Sequence, residues 1–295
     1  MSTKSEKYSP RLMVLPAFMI LLIISLIPLI YVLGTSLTNA TIVKPFDHFV
    51  WFAQYLKVFT DGEFGTSLAN TFVYAISVTT IQTFLGFVLA YALWHERKLG
   101  SVLRTLALLP LFTPPVAIAM IWKLIYDPNS GFLNYYLTKL GLISAPVAFL
   151  GSKTLAFPAI MAADIWQWTP FCFLLCLAAL QSLPREPYEA AMVDGASDWY
   201  VFKRLTFPMV LPQIIVIFIF RLLIAFKVFD LIYMLTYGGP GNSTEVFSFY
   251  IYRVSFGQFQ TGYGAALSIV VLIAISVVVT FLTKGREALL KRIGQ

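Results

Sequence analysis

The most informative segment of this chain is Pro184-Arg185-Glu186-Pro187-Tyr188-Glu189-Ala190-Ala191-Met192-Val193-Asp194-Gly195-Ala196-Ser197-Asp198-Trp199-Tyr200-Val201-Phe202-Lys203-Arg204-Leu205-Thr206-Phe207-Pro208. It is the longest charged interval in a largely apolar sequence, and it predicts two short helices bent at Gly195. Proline suits the first turn of a helix, and glutamate is favourable near the positive end of the helix dipole. Glycine permits the positive φ of a sharp turn. Either Ser197 or Asp198 is suited to cap the second helix, which we expect to end at Pro208.

The composition indicates a membrane protein. Of the 295 residues, 59% are hydrophobic and 12% are charged, and the mean hydropathy is +0.79. A soluble domain carries about 25% charged residues, so too little polar surface is available to cover a soluble globule. We therefore predict an all-α, polytopic integral membrane protein embedded in the lipid bilayer. The net charge of +7 does not require a nucleic-acid partner, because the basic residues cluster between the apolar runs.

The apolar runs predict six transmembrane helices in a single transmembrane domain, 1–295. The first run exceeds the length of a signal-peptide core, so we expect a retained span. Three prolines in the third run, Pro110, Pro114 and Pro115, predict a kinked or broken helix. The predicted spans are 12–34, 67–94, 103–126, 155–180, 207–235 and 264–282.

The distribution of lysine and arginine predicts the orientation of the spans. The cytoplasmic side of a membrane protein carries the excess of these residues. Six spans place both termini on one side, and that side carries Lys4, Lys7, Arg11, Arg97, Lys98, Arg104, Arg185, Lys203, Arg204, Lys284, Arg286, Lys291 and Arg292. The other side carries Lys44, Lys57, Lys139, Lys153 and Arg253. We therefore expect both termini and the 184–205 segment to be cytoplasmic.

The opening segment resembles the EAA loop of ABC importer permeases. It shares the order Glu-Ala-Ala, three residues, Gly, nine residues and a final Leu-x-Phe-Pro, where the family has Ile-x-Leu-Pro. The resemblance implies a type I ABC importer permease fold, in which this loop is a cytoplasmic coupling helix that docks in a cleft of the ATPase. The residues that it assigns to ATPase coupling are Glu189, Ala190, Ala191, Asp194, Gly195 and Pro208.

Two further segments resemble the carbohydrate-uptake branch of these permeases. They are Trp122-Lys123-Leu124-Ile125-Tyr126-Asp127-Pro128 with Gly131 and Asn134, and Phe229-Asp230-Leu231-Ile232-Tyr233-Met234-Leu235-Thr236 with Gly238-Gly239-Pro240. The resemblance implies a bacterial cytoplasmic (inner) membrane protein that imports a sugar, polyol or sugar derivative. The implied partners are a second homologous permease, two copies of an ABC ATPase and an extracytoplasmic sugar-binding protein.

The sequence contains no recognisable motif for nucleotide binding or catalysis. It contains no Gly-x-x-x-x-Gly-Lys-Ser/Thr phosphate loop and no evident nucleophile–base arrangement, so we expect no enzyme activity, no cofactor and ATP hydrolysis in a separate chain. The two cysteines, Cys172 and Cys176, lie in one apolar run and are interpreted as packing residues. Because His48 and His95 fall in opposite loops, we expect no metal site.

Ionisable side chains inside spans are costly and mark candidate functional positions. In Asp164-Ile165-Trp166-Gln167-Trp168, the aromatic rings, the carboxylate and the amide suit a sugar, whose C–H surfaces stack on rings. The same residues also suit an interfacial tryptophan belt with a structural aspartate. The remaining candidates are Lys227, Asp230 and Tyr233.

Lys227 and Asp230 are three residues apart and are predicted to share one helix face, either as a structural ion pair or as a wall of the permeation path. For Arg221, deeper in that span, we expect a contact to another helix or subunit. The alternative function is an ion-gradient-driven secondary transporter that uses Asp164 or the Lys227 and Asp230 pair.

Overall fold

The structure is a computed structural model that describes residues 4–94 and 100–293, with side chains described for 14–94 and 102–287. The predicted charged turn at 95–98, with His95, lies outside the described residues. Within the described ranges the chain is helical, and its β-type pairing is limited to an isolated bridge between Thr38 and Phe49. The α-helices are α1 (Lys4–Ser36), α2 (Ala53–Thr60), α3 (Gly62–Trp94), α4 (Gly100–Phe112), α5 (Pro115–Ile125), α6 (Phe132–Lys139), α7 (Ala156–Gln181), α8 (Glu186–Val193), α9 (Asp198–Val201), α10 (Phe207–Phe226), α11 (Asp230–Leu235), α12 (Phe247–Tyr252) and α13 (Thr261–Ile293).

Five helical segments of the described chain are long and apolar enough to cross a membrane, and the number is six if a bent pair of helices counts as one span. The five are Val14–Ser36, Gly62–Trp94, Ala156–Gln181, Asp198–Phe226 and Thr261–Glu287. All-α architecture is therefore confirmed, and each predicted span corresponds to one of these segments or to the bent pair.

The third predicted span is broken, as its prolines indicate. The helices α4 and α5 meet at 95°. Pro114 adopts an extended ψ of 140°, and α5 begins at Pro115. A proline cannot donate the backbone hydrogen bond that would continue α4, so the helix ends and restarts in a new direction.

The fifth predicted span ends earlier than expected. The helix α10 stops at Phe226, Lys227 caps it, and α11 starts at Asp230. Phe229 leaves the helical region with φ −139°, and Ser248 Oγ donates to the backbone carbonyl of Val228. The prediction that Lys227 and Asp230 share one helix face is therefore wrong, because two different helices carry them.

The second helix of the 184–205 segment also differs from expectation. It does not end at Pro208 but continues through a π-helical turn, Phe202–Thr206, into α10. The amide of Phe207 donates to the carbonyl of Phe202, five residues earlier. Pro208 then lies in the first turn of α10, where its missing N–H costs little.

The described chain divides into two compact units. One comprises the described residues up to Gly62 together with Ile251–Ile273. Within it, Tyr263 donates a hydrogen bond to Asp61, and the ammonium of Lys57 lies 4.1 Å from the centroid of the Tyr263 ring. The other unit comprises the described residues from Glu63 to Tyr250 and from Ala274 onward, and it contains every candidate functional residue.

The core of this second unit forms where α3, α7 and α10 pack together. Cys172 and Cys176 are free and fully buried there, in a cluster with Ala90, Phe173, Leu177, Leu180, Val210 and Ile217. Gly86 allows the close approach of α3 to α7. A Cβ at Gly86 would lie 2.6 Å from Cys172 Cβ and 2.7 Å from the backbone nitrogen of Phe173.

This close approach predicts the effect of adding one methyl group to α3. Gly86→Ala should destabilise the protein by about 1–3 kcal/mol, the usual cost of overpacking a core. Gly65→Ala, on the same helix, should not, because a Cβ there meets no atom within 4 Å. Thermal unfolding of the two purified variants in detergent measures the difference. Equal melting temperatures would contradict the tight α3–α7 contact.

Candidate functional site

The 184–205 segment presents a helix with little cover from its own chain. None of the residues of α8 is buried, and Glu186 and Glu189 occupy its first turn. At its end, Met192 is 71% and Val193 88% exposed. Apolar side chains exposed together on a segment between two spans are typical of a surface that binds a partner.

The bend after α8 has the geometry of a Schellman motif. Gly195 has φ +68°, its amide donates to the carbonyl of Met192, and the amide of Ala196 donates to the carbonyl of Ala191. This pair of hydrogen bonds satisfies the last carbonyls of a helix and favours glycine at the left-handed position. Of the two predicted caps, Ser197 is the one used, since its hydroxyl accepts a hydrogen bond from the amide of Tyr200 at 3.4 Å.

Aromatic contacts connect α8 to the spans. Tyr188 Oη donates to Thr206 Oγ1 at 3.1 Å, and its ring lies 5.7 Å from that of Trp94 at the end of α3. Phe202, in the π turn, contacts Tyr91 and stacks on Trp199. A displacement of α8 would therefore change the contacts of Tyr188 with the end of α3 and with the turn before α10.

A second candidate site is a cavity of about 180 Å³, which we call the polar cavity. It is lined by Pro115, Asp164, Gln167, Trp168, Arg221, Ile224, Ala225, Lys227, Val228, Phe229, Asp230 and Leu231. Five of the predicted substrate-path residues line it: Asp164, Gln167, Trp168, Lys227 and Asp230. The other two do not. Trp166 contacts Trp122, and Tyr233 stacks on Phe229 at 5.4 Å.

Asp164 and Arg221 form a salt bridge at the wall of the polar cavity. They are 3% and 1% exposed. Gln82 Nε2 donates to the carbonyl of Asp164 at 2.8 Å and to its Oδ2 at 3.0 Å. The Arg221 guanidinium also lies 5.0 Å from the centroid of the Trp168 ring. The expectation that Arg221 contacts another helix is confirmed.

Sequence reasoning missed Gln82 and did not pair Asp164 with Arg221. One signal was available, because isolated charges of opposite sign in different spans are expensive and usually neutralise one another. By contrast, Lys227 and Asp230 are exposed. The polar cavity thus has one pair of charges engaged within its wall and two further charged groups open to an occupant.

The segment after the third span serves a structural purpose. Asn134 Nδ2 donates to the carbonyls of Asp127 and Val147, and its Oδ1 accepts from the amide of Val147 at 2.8 Å. A Cβ at Gly131 would lie 2.2 Å from the Asp127 carbonyl oxygen. The amide and hydroxyl of Ser130 and the amide of Asn129 hold the pKa of Asp127 below its usual value. These residues therefore fix one loop conformation.

Most of this chain, including both candidate sites, is similar to one known protein family. Residues 82–292 match the protein family described as the binding-protein-dependent transport system inner membrane component. This chain belongs to that family. The match includes the 184–205 segment and every residue that lines the polar cavity.

Relatives and solved structures agree with this assignment. The chain is 36% identical over 277 residues to the trehalose/maltose transport system permease protein MalF of Thermococcus litoralis, covering 93% of this chain and 92% of the relative. It is 32% identical over 279 residues to the trehalose transport system permease protein SugA of Mycobacterium tuberculosis, covering 94% and 88%.

Among solved structures, a bacterial alginate ABC transporter in complex with an alginate pentasaccharide-bound periplasmic protein matches with a TM-score of 0.82 and 25% identity, over 94% of this chain and 93% of that chain. A further structure, of a bacterial ABC transporter involved in the import of alginate, matches in fold with a TM-score of 0.84. The fold is thus that of a type I ABC importer permease, and the family consists of transport components rather than enzymes.

The buried salt bridge predicts a specific pattern of stability. Arg221→Met should lower the free energy of unfolding by about 3–5 kcal/mol, because it leaves the Asp164 carboxylate buried without its counter-charge. The double variant Asp164→Leu with Arg221→Met should recover most of that loss, since it leaves no unpaired charge. Thermal unfolding in detergent measures both. A double variant no more stable than the single one would contradict an interaction that is mainly electrostatic.

Proposed function

We propose that this chain is a membrane-spanning permease subunit of an ATP-driven importer of a sugar, polyol or sugar derivative. It forms the translocation path together with a second homologous permease, and the 184–205 segment couples it to a separate ABC ATPase present in two copies. An extracytoplasmic sugar-binding protein delivers the substrate. The observation that carries the proposal is family membership over residues 82–292, which include both candidate sites.

The geometry of α8 supports the coupling role. It is an accessible helix with a fixed bend at one end and aromatic contacts to the spans at its side. In the proposed mechanism, ATP binding closes the two ATPase copies, and α8, docked in a cleft of one of them, moves with it. Glu189, Ala190, Ala191 and Asp194 belong to the docked helix and its end, Gly195 sets the bend, and Pro208 starts the span that receives the motion.

The polar cavity supports a sugar as the substrate. Trp168 offers a ring, Gln167 an amide, and the exposed Lys227 and Asp230 offer a donor and an acceptor for hydroxyl groups. Two relatives are named as transporters of trehalose or of trehalose and maltose. In this proposal Asp164 holds Arg221 in the cavity wall and does not act as a free carboxylate. Tyr233 stacks on Phe229 of the cavity lining, and Trp166 lies outside it.

The proposed orientation places both termini and α8 in the cytoplasm of a bacterial cell. It rests on the excess of lysine and arginine in the segments on that side. A secondary transporter driven by an ion gradient is the rival function. It would need a carboxylate free to exchange protons or sodium. Both Arg221 and Gln82 engage Asp164, so such a transporter would depend on the exposed Asp230.

Purification of the tagged chain from its native membrane in mild detergent tests the proposal. An ATPase and a second permease should accompany it, and joint replacement of Glu189 and Gly195 should release the ATPase. Purification of the chain alone, with gradient-driven uptake after reconstitution in liposomes, would support the secondary transporter instead.

Gly195→Leu should uncouple ATP hydrolysis from uptake. A β-carbon in the left-handed region costs about 1–2 kcal/mol, so the bend should open and α8 should change direction while membrane insertion continues. Gly141→Leu is the matched control, because Gly141 also has φ +68° and, as at Gly195, an added Cβ would meet no atom within 4 Å. Both variants carry the same strain, and sugar uptake and ATPase activity are measured side by side. Normal uptake by Gly195→Leu would contradict the lever role of this bend.

Two tryptophans of α7 provide a test of the substrate path. Trp168→Leu should lower sugar uptake by about tenfold, equivalent to about 1.4 kcal/mol, because it removes a ring from the wall of the polar cavity. Trp166→Leu should leave uptake within about twofold of the wild type, since Trp166 does not line the cavity. Uptake is measured at equal amounts of assembled complex, and an equal loss in both variants would argue against the polar cavity as the path.

A further inference from the structure

A groove of about 440 Å³ lies apart from both candidate sites. It is lined by Leu175, Ala178, Ala179, Ser182, Pro212, Gln213, Val216, Ile217, Phe220 and Arg286. Its walls are the last two turns of α7 and the middle of α10, and α13 contributes Arg286. Most of its lining is aliphatic or aromatic, and Arg286 is the single charged residue among these ten.

Arg286 is in an unusual position for a lone cation. It is half-buried, and its Nε is shielded from solvent without a hydrogen-bond partner among the described residues. Because no acidic residue is among the described residues that line the groove, the positive charge of Arg286 is not balanced there. The planar guanidinium matches the oxygens of a phosphate group, so an anionic phosphate in the groove would neutralise that charge.

The shape of the groove suits a long apolar group. Leu175 on α7 and Ser182, which caps α7, are seven residues or about 10 Å apart at 1.5 Å per residue. On α10, Pro212 and Phe220 are eight residues or about 12 Å apart. Both helices are long enough to span a membrane. Ser182, whose hydroxyl donates to the carbonyl of Ala179 at 2.8 Å, marks the end of α7.

We propose that this groove binds one anionic phospholipid, with an acyl chain along α7 and α10 and the phosphate on Arg286. Basic pockets between transmembrane helices are suited to anionic lipid head groups. A purely apolar occupant would leave the charge of the guanidinium without a counter-charge, so the charge favours a lipid that carries a phosphate. Because Ser182 precedes α8 by only four residues, the lipid would brace α7 beside the 184–205 segment.

Native mass spectrometry of the intact purified assembly tests this proposal. The wild type is equilibrated in detergent with equal amounts of phosphatidylglycerol and phosphatidylcholine, and the lipid that stays bound is measured. We expect retention of one phosphatidylglycerol per chain in preference to phosphatidylcholine. Arg286→Gln should reduce this preference at least tenfold. Lys284→Gln removes the same charge from an exposed position of α13 outside the groove and should keep the preference.

A second variant separates the acyl contact from the charge. Ala178→Phe fills the groove from an exposed position of α7 and should lower retention of both lipids, while Arg286→Gln affects only the preference between them. Equal retention of both lipids by the wild type would overturn the proposal. An equal loss in Lys284→Gln and Arg286→Gln would overturn it as well. Absence of bound lipid from the assembly, with a cross-link from Ala178→Cys to another subunit, would show that a protein partner occupies the groove.

Discussion

The salt bridge between Asp164 and Arg221 constrains the arrangement of the membrane helices around it. Removing two charges from water costs several kcal/mol for each ion, and only close mutual contact with further hydrogen bonds offsets that cost. The pair joins α7 to α10, and Gln82 adds α3. Gly86, one turn beyond Gln82, faces α7 as well and lets the two backbones approach. In a membrane, where burial of apolar surface gives little drive for helices to associate, small and polar residues of this kind hold spans together. These polar contacts therefore hold the wall of the polar cavity in addition to the apolar cluster between α3, α7 and α10.

Two helix breaks of the second unit lie at the same cavity. The break after Thr113 places Pro115 in its lining, and the break after Phe226 places Lys227 and Asp230 there. Backbone without helical hydrogen bonds is tolerated at membrane depth only where protein covers it or where it lines a polar space. Both breaks meet that condition. The helix α5 starts after the first break, α11 starts after the second, and the two helices pack against each other. The two breaks thus line the same polar cavity, which lies between spans that are otherwise continuous.

The sequence predicted those parts of the structure that depend on local signals. Long apolar runs predicted the spans, and Gly195 predicted the bend of the 184–205 segment. Pro110, Pro114 and Pro115 together predicted a kinked or broken third span, and the break lies at Pro114 while Pro110 stays inside α4. The break after Phe226 escaped prediction because neither proline nor glycine marks it; a contact from Ser248, twenty residues away, stabilises it instead. For the same reason the spacing of Lys227 and Asp230 suggested a shared helix face that does not exist.

The contact of Gln82 with Asp164 was not predicted either, since nothing in a single sequence connects a glutamine of one span to an aspartate 82 residues later. The prediction that the second helix ends at Pro208 was wrong, because a π turn joins that helix to α10. Pro208 lies in the first turn of α10, where a proline costs little.

The continuity of the helical run from Asp198 to Phe226 has a mechanical consequence for the proposed coupling. The run holds the end of the 184–205 segment at one end and Arg221, about 35 Å away at 1.5 Å per residue, near the other. The π turn, Phe202–Thr206, lies beside Tyr188, and Pro212 lies inside α10 between this turn and Arg221. We expect a rotation of α8 to reach Arg221 through this run. Because Arg221 is bound to Asp164, α10 can shift relative to α7 only if the salt bridge breaks, which would leave two buried charges without their partners. We therefore expect α7 and α10 to move as one body, so that the polar cavity opens and closes by displacement of this pair against α5 and α11.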